Sequence, residues 1–154
     1  MLLVKSREVL LLLQTTKQGG KYTLVGGRVE QDEYAREALV RECFEEIGIN
    51  LLVKNLNLVH VLHKKKQGEN TLTLYFTTTT WTGALQNKEP QKFKGVDWFP
   101  INNLPPNISP TSRYVIKKIL TGKSYSEFNR TDTKNGIGKN TNLSSKKGEK
   151  KQFR

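Results

Sequence analysis

A helix that carries three clustered glutamates constrains this chain more than any other feature. The segment 27–49 sets a glycine ahead of a helical stretch that contains Glu42, Glu45 and Glu46. These positions are three and four residues apart, so the carboxylates share one face of a helix. Like charges at this spacing repel one another and destabilise the helix. A hard divalent cation such as Mg²⁺ removes that cost, because it prefers carboxylate and carbonyl oxygens. The pattern therefore indicates a metal site suited to chemistry on a phosphate chain.

The spacing of this segment resembles the Nudix box: a glycine, five residues, Glu, seven residues, Arg-Glu, an apolar residue, any residue, Glu-Glu, any residue, Gly and an apolar residue. Every fixed position is filled, by Gly27, Glu33, Arg41, Glu42, Glu45, Glu46 and Gly48, with Cys43 and Ile49 in the apolar positions. At average amino-acid frequencies a chance match is on the order of one in ten million for a chain of this length. An acidic, solvated helix face is the alternative, and it does not explain the glycines or the arginine. The chain is identified as a member of the Nudix hydrolase superfamily, similar to its MutT-like pyrophosphohydrolases.

The resemblance extends beyond the box and implies a fold. Residues 22–27 are similar to the strand and double glycine that precede Nudix boxes, and residues 97–105 resemble the strand end and turn that follow the site. Residues 2 to about 121 fit an α/β (α+β) fold, with a mixed β-sheet sandwiched between helices. We expect a single domain over residues 1–128. Its first strand could be clipped, since many members carry extra residues before it.

The same resemblance implies roles for individual residues. One or more Mg²⁺ ions (or Mn²⁺ in their place) would be bound by the Gly27 carbonyl, Glu42, Glu45 and Glu46. Arg41 lies four residues before Glu45 and is better placed to orient carboxylates in catalysis than to meet substrate. An activated water would attack one phosphorus of a pyrophosphate, with Glu45, Glu46 or a residue of a later loop as the base. Tyr34 stands where Ser or Thr often caps the helix, so Asp32 or Glu33 is expected to supply the cap.

The other side of the same helix is expected to pack against a sheet, because it carries an apolar stripe of Ala35, Ala38, Leu39 and Cys43. Gly48 is well placed to end the helix in the left-handed conformation.

Glu89 is the candidate for that later loop. Residues 89–92 read Glu-Pro-Gln-Lys and resemble the Glu-Pro-x-Lys of some members that hydrolyse nucleoside triphosphates; the alternative is a solvated loop glutamate. Arg28, Lys92 and Trp98 are the candidate substrate contacts, although an aromatic residue such as Trp98 more often fills a core. These features favour a nucleoside triphosphate, including an oxidised purine nucleotide, as the small-molecule substrate. ADP-ribose or another dinucleotide of the NADH type, an RNA 5′ end, or a nucleotide-sensing domain without catalysis are the alternatives.

The composition limits which partners the protein is expected to bind and which compartment it is expected to occupy. Residues 129–154 carry eight of the Lys and Arg residues against two acidic ones, and they supply half of the net charge of +12. Such a segment is expected to be disordered. It would contact nucleic acid or an anionic membrane weakly, or serve only as a solubilising tail. No apolar run is long enough to span a membrane, and the single cysteine rules out an intramolecular disulfide and fits a reducing cytoplasm. Dimerisation is frequent in the superfamily, so a homodimer is a further expectation.

Periodicity predicts the remaining elements. Residues 1–4 and 8–13 read as two strands around a turn, and residues 110–121 read as a closing helix that ends at Gly122. Two further half-buried strands are predicted by alternation: Leu56, Leu58, His60 and Leu62 in one, and Leu72, Leu74 and Phe76 in the other. The inward side chains of the closing helix are expected to be Val115, Ile116, Ile119 and Leu120.

Overall fold

The chain forms a mixed β-sheet with helices on both of its faces. The computed structural model describes residues 1–66 and 69–129. Its elements are β1 (Leu2–Lys5), β2 (Glu8–Gln14), β3 (Tyr22–Thr23), α1 (Ala35–Ile47), β4 (Asn57–Lys66), β5 (Glu69–Thr78), β6 (Phe93–Pro100), α2 (Pro110–Leu120) and β7 (Tyr125–Asn129). This order confirms the α+β class. The basic segment 130–154, to which the predictions of disorder and of nucleic-acid contact apply, lies outside the described residues.

Strand order places the first hairpin at the centre of the sheet. The order is β3-β2-β1-β5-β4-β7, and β6 also pairs with β2. Ser6 and Arg7 form the turn between β1 and β2, and both have positive φ, which suits a tight hairpin. β1 runs parallel to β5 but pairs with it only through Leu2–Thr77 and Leu3–Thr78. No strand of the described part of the chain therefore pairs with residues 71–76 of β5 on the side of β1.

The hydrophobic core has two layers because successive side chains of a strand point to opposite faces. On one face Leu10 and Leu12 of β2 pack with Leu39, Cys43 and Ile47 of α1. On the other face the buried residues Leu2, Val9, Leu11, Leu62, Val115 and Ile116 form a second cluster that includes α2. The sheet is thus sandwiched between helices, as predicted. No helix in the described residues is long and apolar enough to cross a membrane.

Four side chains predicted to face the core are exposed: Leu58, Leu72, Leu74 and Leu120. Leu58 is 49 % exposed, because a register shift between positions 58 and 60 interrupts the alternation of β4. His60 beyond this bulge is buried, and its ring nitrogens contact the Lys123 carbonyl at 2.6 Å and Ser126 Oγ at 2.8 Å. Leu120 is 56 % exposed at the last residue of α2.

The cap of α1 also differs from the prediction. Neither Asp32 nor Glu33 supplies it; the Glu37 carboxylate accepts a hydrogen bond from the Tyr34 N–H at 2.7 Å. Glu37 lies in the first turn, where a negative charge also interacts favourably with the helix dipole. A side chain inside the helix thus replaces the usual cap from the preceding residues.

Candidate active site

Helix α1 presents its three glutamates in three different environments. It ends at Gly48, whose φ of 73° and N–H bond to the Phe44 carbonyl form the predicted left-handed stop. The Glu45 side chain is 48 % exposed and the Glu42 side chain 15 %. Glu46 is 5 % exposed and lies on the side of the helix that faces the core. The glutamates share one helical face, but that face runs from solvent into the protein.

Arg41 connects the box through its guanidinium group. It donates to Glu33 at 2.7 and 3.2 Å, to Glu42 at 3.1 Å and to Glu45 at 3.2 Å. It also donates to the backbone carbonyl of Arg28 at 3.1 Å. Hydrogen bonding to Arg41 lowers the pKa of Glu33. These contacts place Arg41 as the organiser of the carboxylates and of the loop before the helix.

The double glycine before the helix packs directly against two of the glutamates. A Cβ on Gly27 would overlap the carboxylate of Glu42, so only glycine leaves room for that side chain. The Gly26 N–H donates to Glu46 Oε2 at 3.0 Å, from a backbone conformation with φ of 140°. L-residues with a side chain rarely adopt that φ. The loop and the helix therefore fix each other through these contacts.

Burial makes the carboxyl group of Glu46 a weaker acid than an ordinary glutamic acid. The pKa of its carboxyl group is raised from 4.5 to about 7, mainly by desolvation and also by the nearby carboxylates of Glu42 and Glu89, while the hydrogen bond from Gly26 opposes the shift. A cation next to Glu46 would reverse the cost of ionising it.

A loop after β5 joins the helix at its C-terminal end. The N–H of Gln86 donates to the Ile47 carbonyl at 3.0 Å, and the N–H of Lys88 donates to the Glu46 carbonyl at 3.1 Å. The Lys88 ammonium lies 3.8 Å from the ring centroid of Phe44 on α1. This loop is therefore attached to the last turn of the helix that carries the box.

Glu89 lies on this loop and is brought close to the helix glutamates. Its N–H donates to Asn87 Oδ1 at 3.2 Å, and Asn87 Nδ2 donates to the Phe93 carbonyl at 2.8 Å. Glu89 Oε1 pairs with Lys92 Nζ at 2.7 Å, whereas Glu89 Oε2 is buried and has no hydrogen-bond partner within residues 1–66 and 69–129. Sequence reasoning found Glu89 and Lys92 but missed Asn87. A polar side chain two residues before the glutamate, in the pattern of an Asx turn, was the available signal.

The carboxylates are ligands of the kind that a hard cation binds, but their side chains are not arranged as a complete metal site. Within residues 1–66 and 69–129 no three His, Cys, Asp or Glu side chains form a group that could hold a metal ion. Arg41 holds one oxygen each of Glu42 and Glu45. Carboxylate oxygens are the ligand type that Mg²⁺ prefers, and the buried Oε2 of Glu89, which has no hydrogen-bond partner in the described part of the chain, is one of them.

The remaining predicted substrate contacts lie in different places. Trp98 on β6 stacks on Trp81, with ring centroids 5.8 Å apart, and packs against the core on the α1 side. Arg28 is exposed and lines a cleft of 810 Å³ beside the unpaired edge of β5. Gly26 and Gly27, which contact the glutamates, line the same cleft. A substrate seated in the cleft would therefore lie next to the carboxylates.

Comparisons with known proteins agree with this geometry. The model of the NUDIX domain family matches residues 1–119. The chain is 31 % identical over 112 residues to the NAD-capped RNA hydrolase NudC of Photorhabdus laumondii, covering 73 % of this chain and 41 % of that protein. It is 32 % identical over 101 residues to the putative nudix hydrolase 1 of Caenorhabditis elegans, covering 65 % and 26 %. The chain thus spans less than half the length of these curated relatives.

Solved structures show the same fold. A MutT Nudix hydrolase from Burkholderia pseudomallei superposes with a TM-score of 0.68 at 24 % identity, over 75 % of this chain and 91 % of that one. A MutT protein from Bacillus halodurans gives a TM-score of 0.66 at 22 % identity, over 83 % and 85 %. Members of the family are pyrophosphohydrolases that act on phosphorus-containing anhydrides, and they generally use a divalent metal. The family match over most of the chain, together with the intact box on α1, establishes that this protein belongs to the Nudix family.

Proposed function

We propose that this protein hydrolyses the pyrophosphate linkage of a nucleoside diphosphate joined to a further group, with a divalent metal as cofactor. The observation that carries the proposal is the approach of Glu89 to the box glutamates. A carboxylate oxygen of this loop residue is buried and has no hydrogen-bond partner among the described residues, and the charge of Glu89 contributes to the raised pKa of Glu46. Carboxylates drawn together from a helix and a later loop suit metal-assisted attack of water on phosphorus.

The metal would be Mg²⁺, with Mn²⁺ as a substitute, held by Glu42, Glu45, Glu46 and the Gly27 carbonyl. When bound, it would neutralise phosphate charge and lower the pKa of the attacking water. Arg41 keeps Glu42 and Glu45 aligned.

Glu89 is the residue that we propose as the proton acceptor. Its Oε2 has no hydrogen-bond partner in the part of the chain that the structure describes, and its Oε1 is held by Lys92. A general base must have a free acceptor within hydrogen-bond reach of the attacking water. Glu45 and Glu46 are the alternative bases, and their roles as ligands would compete with proton transfer.

Two substrate classes are supported by different observations. The Glu-Pro-x-Lys sequence at residues 89–92, with its ion pair between Glu89 and Lys92, supports a nucleoside triphosphate. Two curated relatives carry the name NAD-capped RNA hydrolase, so a dinucleotide or an RNA 5′ end is the second candidate.

A metal-dependent hydrolysis screen tests the proposal. The panel contains unmodified and 8-oxo nucleoside triphosphates, ADP-ribose, NADH and 5′-triphosphate RNA, with Mg²⁺ or Mn²⁺ and an EDTA control. Products distinguish the classes: nucleoside monophosphate with pyrophosphate from the first, and AMP with ribose 5-phosphate from ADP-ribose. We expect turnover that requires the metal and falls at least 10²-fold in Glu46→Gln. Nucleotide binding to a folded protein without any turnover would contradict catalysis and favour the sensor alternative.

A further inference from the structure

The exposed side of α2 carries positive charge and no negative charge. At about 100° per residue, Arg113, Lys117 and Lys118 lie within an arc of about 140° around the helix. The buried side chains lie on the opposite side of α2: Ser112, Val115 and Ile116. Residues 98–126, which contain α2 and the loops on both sides of it, include no Asp or Glu. A solvated helix face usually mixes charges of both signs, so this face is one that attracts anions.

In the part of the chain that the structure describes, these cations have no carboxylate partner. Within residues 1–66 and 69–129 no ion pair involves Arg113, Lys117 or Lys118. The next acidic residue along the chain is Glu127 on β7. Its side chain lies on the other face of the sheet, because the adjacent Phe128 packs in the cluster that includes α2 and successive side chains alternate. The face formed by the three cations, the α2 basic face, is therefore open to an external anion.

Two of the three cations are held in place by neutral groups. Arg113 Nη2 donates to the Pro105 carbonyl at 2.7 Å. The Lys118 ammonium lies 5.1 Å from the ring centroid of Tyr114, whose hydroxyl donates to the Glu127 carbonyl at 2.7 Å. Neutral partners position a cation without cancelling its charge, and side chains that are already ordered lose less entropy when a ligand binds.

The spacing of the cations suits a chain of phosphates better than a single phosphate. The helix extends over about 16 Å, and exposed lysines lie beyond both of its ends. The Lys123 N–H donates to the Lys118 carbonyl at 3.0 Å, and Lys21 precedes Tyr22, whose N–H donates to the Asn107 carbonyl at 3.2 Å. A single phosphate needs donors that converge on one point, whereas nucleic acids are bound by basic surfaces that follow their backbone.

A membrane surface also presents repeated phosphates, but the packing of α2 disfavours it. A helix that binds a membrane buries its apolar side in the lipid. The apolar side of α2 is already buried against the sheet through Val115 and Ile116. Leu120 at the last residue is the large apolar side chain that α2 exposes, which is too little to anchor the helix in lipid. The α2 basic face therefore fits a nucleic acid.

The start of α2 lies close to the candidate active site. Ser112 Oγ lies 3.5 Å from Thr23 Oγ1 on β3, and the three residues from Thr23 to Gly26 span at most about 10 Å. The Gly26 N–H in turn donates to the Glu46 carboxylate. Ser112 and Gly26 also line the same cleft. A nucleic acid with its 5′ end at the carboxylates can therefore extend onto α2.

We propose that the α2 basic face binds the phosphodiester backbone of an RNA whose 5′ end is hydrolysed at the carboxylates. This inference rests on the proposed function, of which an RNA 5′ end is the second substrate class. It adds a surface that a mononucleotide at the carboxylates does not need. Contacts of lysine and arginine with phosphates supply affinity without reading the base sequence, so RNAs of different sequence should bind alike.

Binding of a 12-nucleotide single-stranded RNA with a 5′-hydroxyl tests this surface without turnover, because that RNA has no pyrophosphate to hydrolyse. Fluorescence anisotropy in EDTA measures the association constant of the full chain between 50 and 300 mM salt. Each phosphate that a protein neutralises on a single strand adds about 0.7 to the slope of log K against log salt. Lys117→Gln combined with Lys118→Gln should therefore lower this slope by about 1.4, and lower the association constant at 50 mM salt at least about tenfold.

A second pair of lysines provides the matched control. Lys5→Gln combined with Lys54→Gln removes the same charge from exposed positions. Lys5 shares a strand face with Leu3, on the α1 side of the sheet, and Lys54 follows Val53, which lines a groove with Ala35 of α1. This control should leave the slope within about 0.3 of the wild type. The basic segment 130–154 is the same in every protein compared, and thermal unfolding checks that each variant is folded.

Kinetics and binding together separate this inference from the proposed function. The α2 double variant should raise KM for a 5′-triphosphate 12-mer at least about fivefold, and leave kcat/KM for a nucleoside triphosphate within about twofold. A slope lowered only by the α2 variant supports the surface even if nothing is hydrolysed, an outcome that would defeat only the proposed function. Slopes lowered equally by both double variants, or by neither, would overturn the inference even if nucleotides are hydrolysed. So would loss of binding to phosphatidylserine vesicles in the α2 variant with RNA binding unchanged, which would assign the face to a membrane.

Discussion

Replacing Glu46 with glutamine is expected to stabilise the metal-free protein while removing its activity. Glu46 is 5 % exposed, and burial raises the pKa of its carboxyl group from 4.5 to about 7. A tenfold change in proton affinity corresponds to about 1.4 kcal/mol. Ionised Glu46 therefore costs the metal-free folded state about 3 kcal/mol above neutral pH. Glutamine has nearly the same shape, carries no charge, and its side-chain oxygen can still accept the N–H of Gly26.

The pH dependence of this effect has a definite sign. The folded chain binds the Glu46 proton more tightly than the unfolded chain, so this group lowers the free energy of unfolding as the pH rises from 4.5 to about 7. Below that range the group is protonated in both states and contributes nothing. The stability gained by Glu46→Gln should thus be near zero at pH 4.5, grow through pH 6 and reach about 2–3 kcal/mol at pH 8. For a chain of this size that is roughly 5–10 °C in Tm.

Urea unfolding followed by circular dichroism measures the effect, at pH 4.5, 6 and 8 in EDTA. Mg²⁺ added at pH 8 should stabilise the wild type and have little effect on Glu46→Gln, because a ligand that binds only the folded state raises its stability. Glu45→Gln is the matched control, and its 48 % exposed side chain should change stability by no more than about 0.5 kcal/mol. If Glu46→Gln is less stable than the wild type at pH 8, or if the difference does not vary with pH, the reasoning fails.

Substitutions at three further positions test how the site is held together. Gly27→Ala should lower kcat at least tenfold with a Tm change below about 2 °C, since the new Cβ displaces only the flexible carboxylate of Glu42; steady-state kinetics and thermal melts check both. Arg41→Lys should lower kcat about tenfold, because an ammonium group cannot reproduce a guanidinium that contacts several carboxylates, and an unchanged kcat would exclude the organising role. Asn87→Ala should lower kcat about tenfold with little change in KM, since it loosens the loop that presents Glu89; an Asn87→Asp variant, which keeps the acceptor for the Glu89 N–H, should be less affected.

The box helix was predictable because its signals are local. A glycine stop, an apolar stripe and the spacing of the glutamates all lie within one continuous segment, and the stop and stripe are confirmed. The unequal burial of the glutamates was also within reach of helical periodicity. At 100° per residue, position 46 lies about 20° from position 39 and position 45 about 120° from it. Leu39 is buried against the sheet, so Glu46 follows it inward and Glu45 does not.

Features that depend on distant partners were not predictable in this way. The bulge that exposes Leu58 is a property of the register between β4 and β5, and alternation within β4 carries no sign of it. The cleft arises because β1 pairs with only two residues of β5. Leu72 and Leu74 alternate as a half-buried strand should, yet they are 66 % and 42 % exposed, because they line that cleft.

The attachment of the Glu89 loop to α1 explains how Glu89, which lies far along the sequence from the box, is held close to the box glutamates. The N–H of Lys88 donates to the carbonyl of Glu46 itself, so the backbone that carries the buried glutamate also fixes the residue next to Glu89. Carbonyls in the last turn of a helix have no partner within the helix. The loop satisfies two of them, at Glu46 and Ile47. The end of the box helix therefore sets the distance between the two carboxylates, and the position of Glu89 follows from where α1 stops at Gly48.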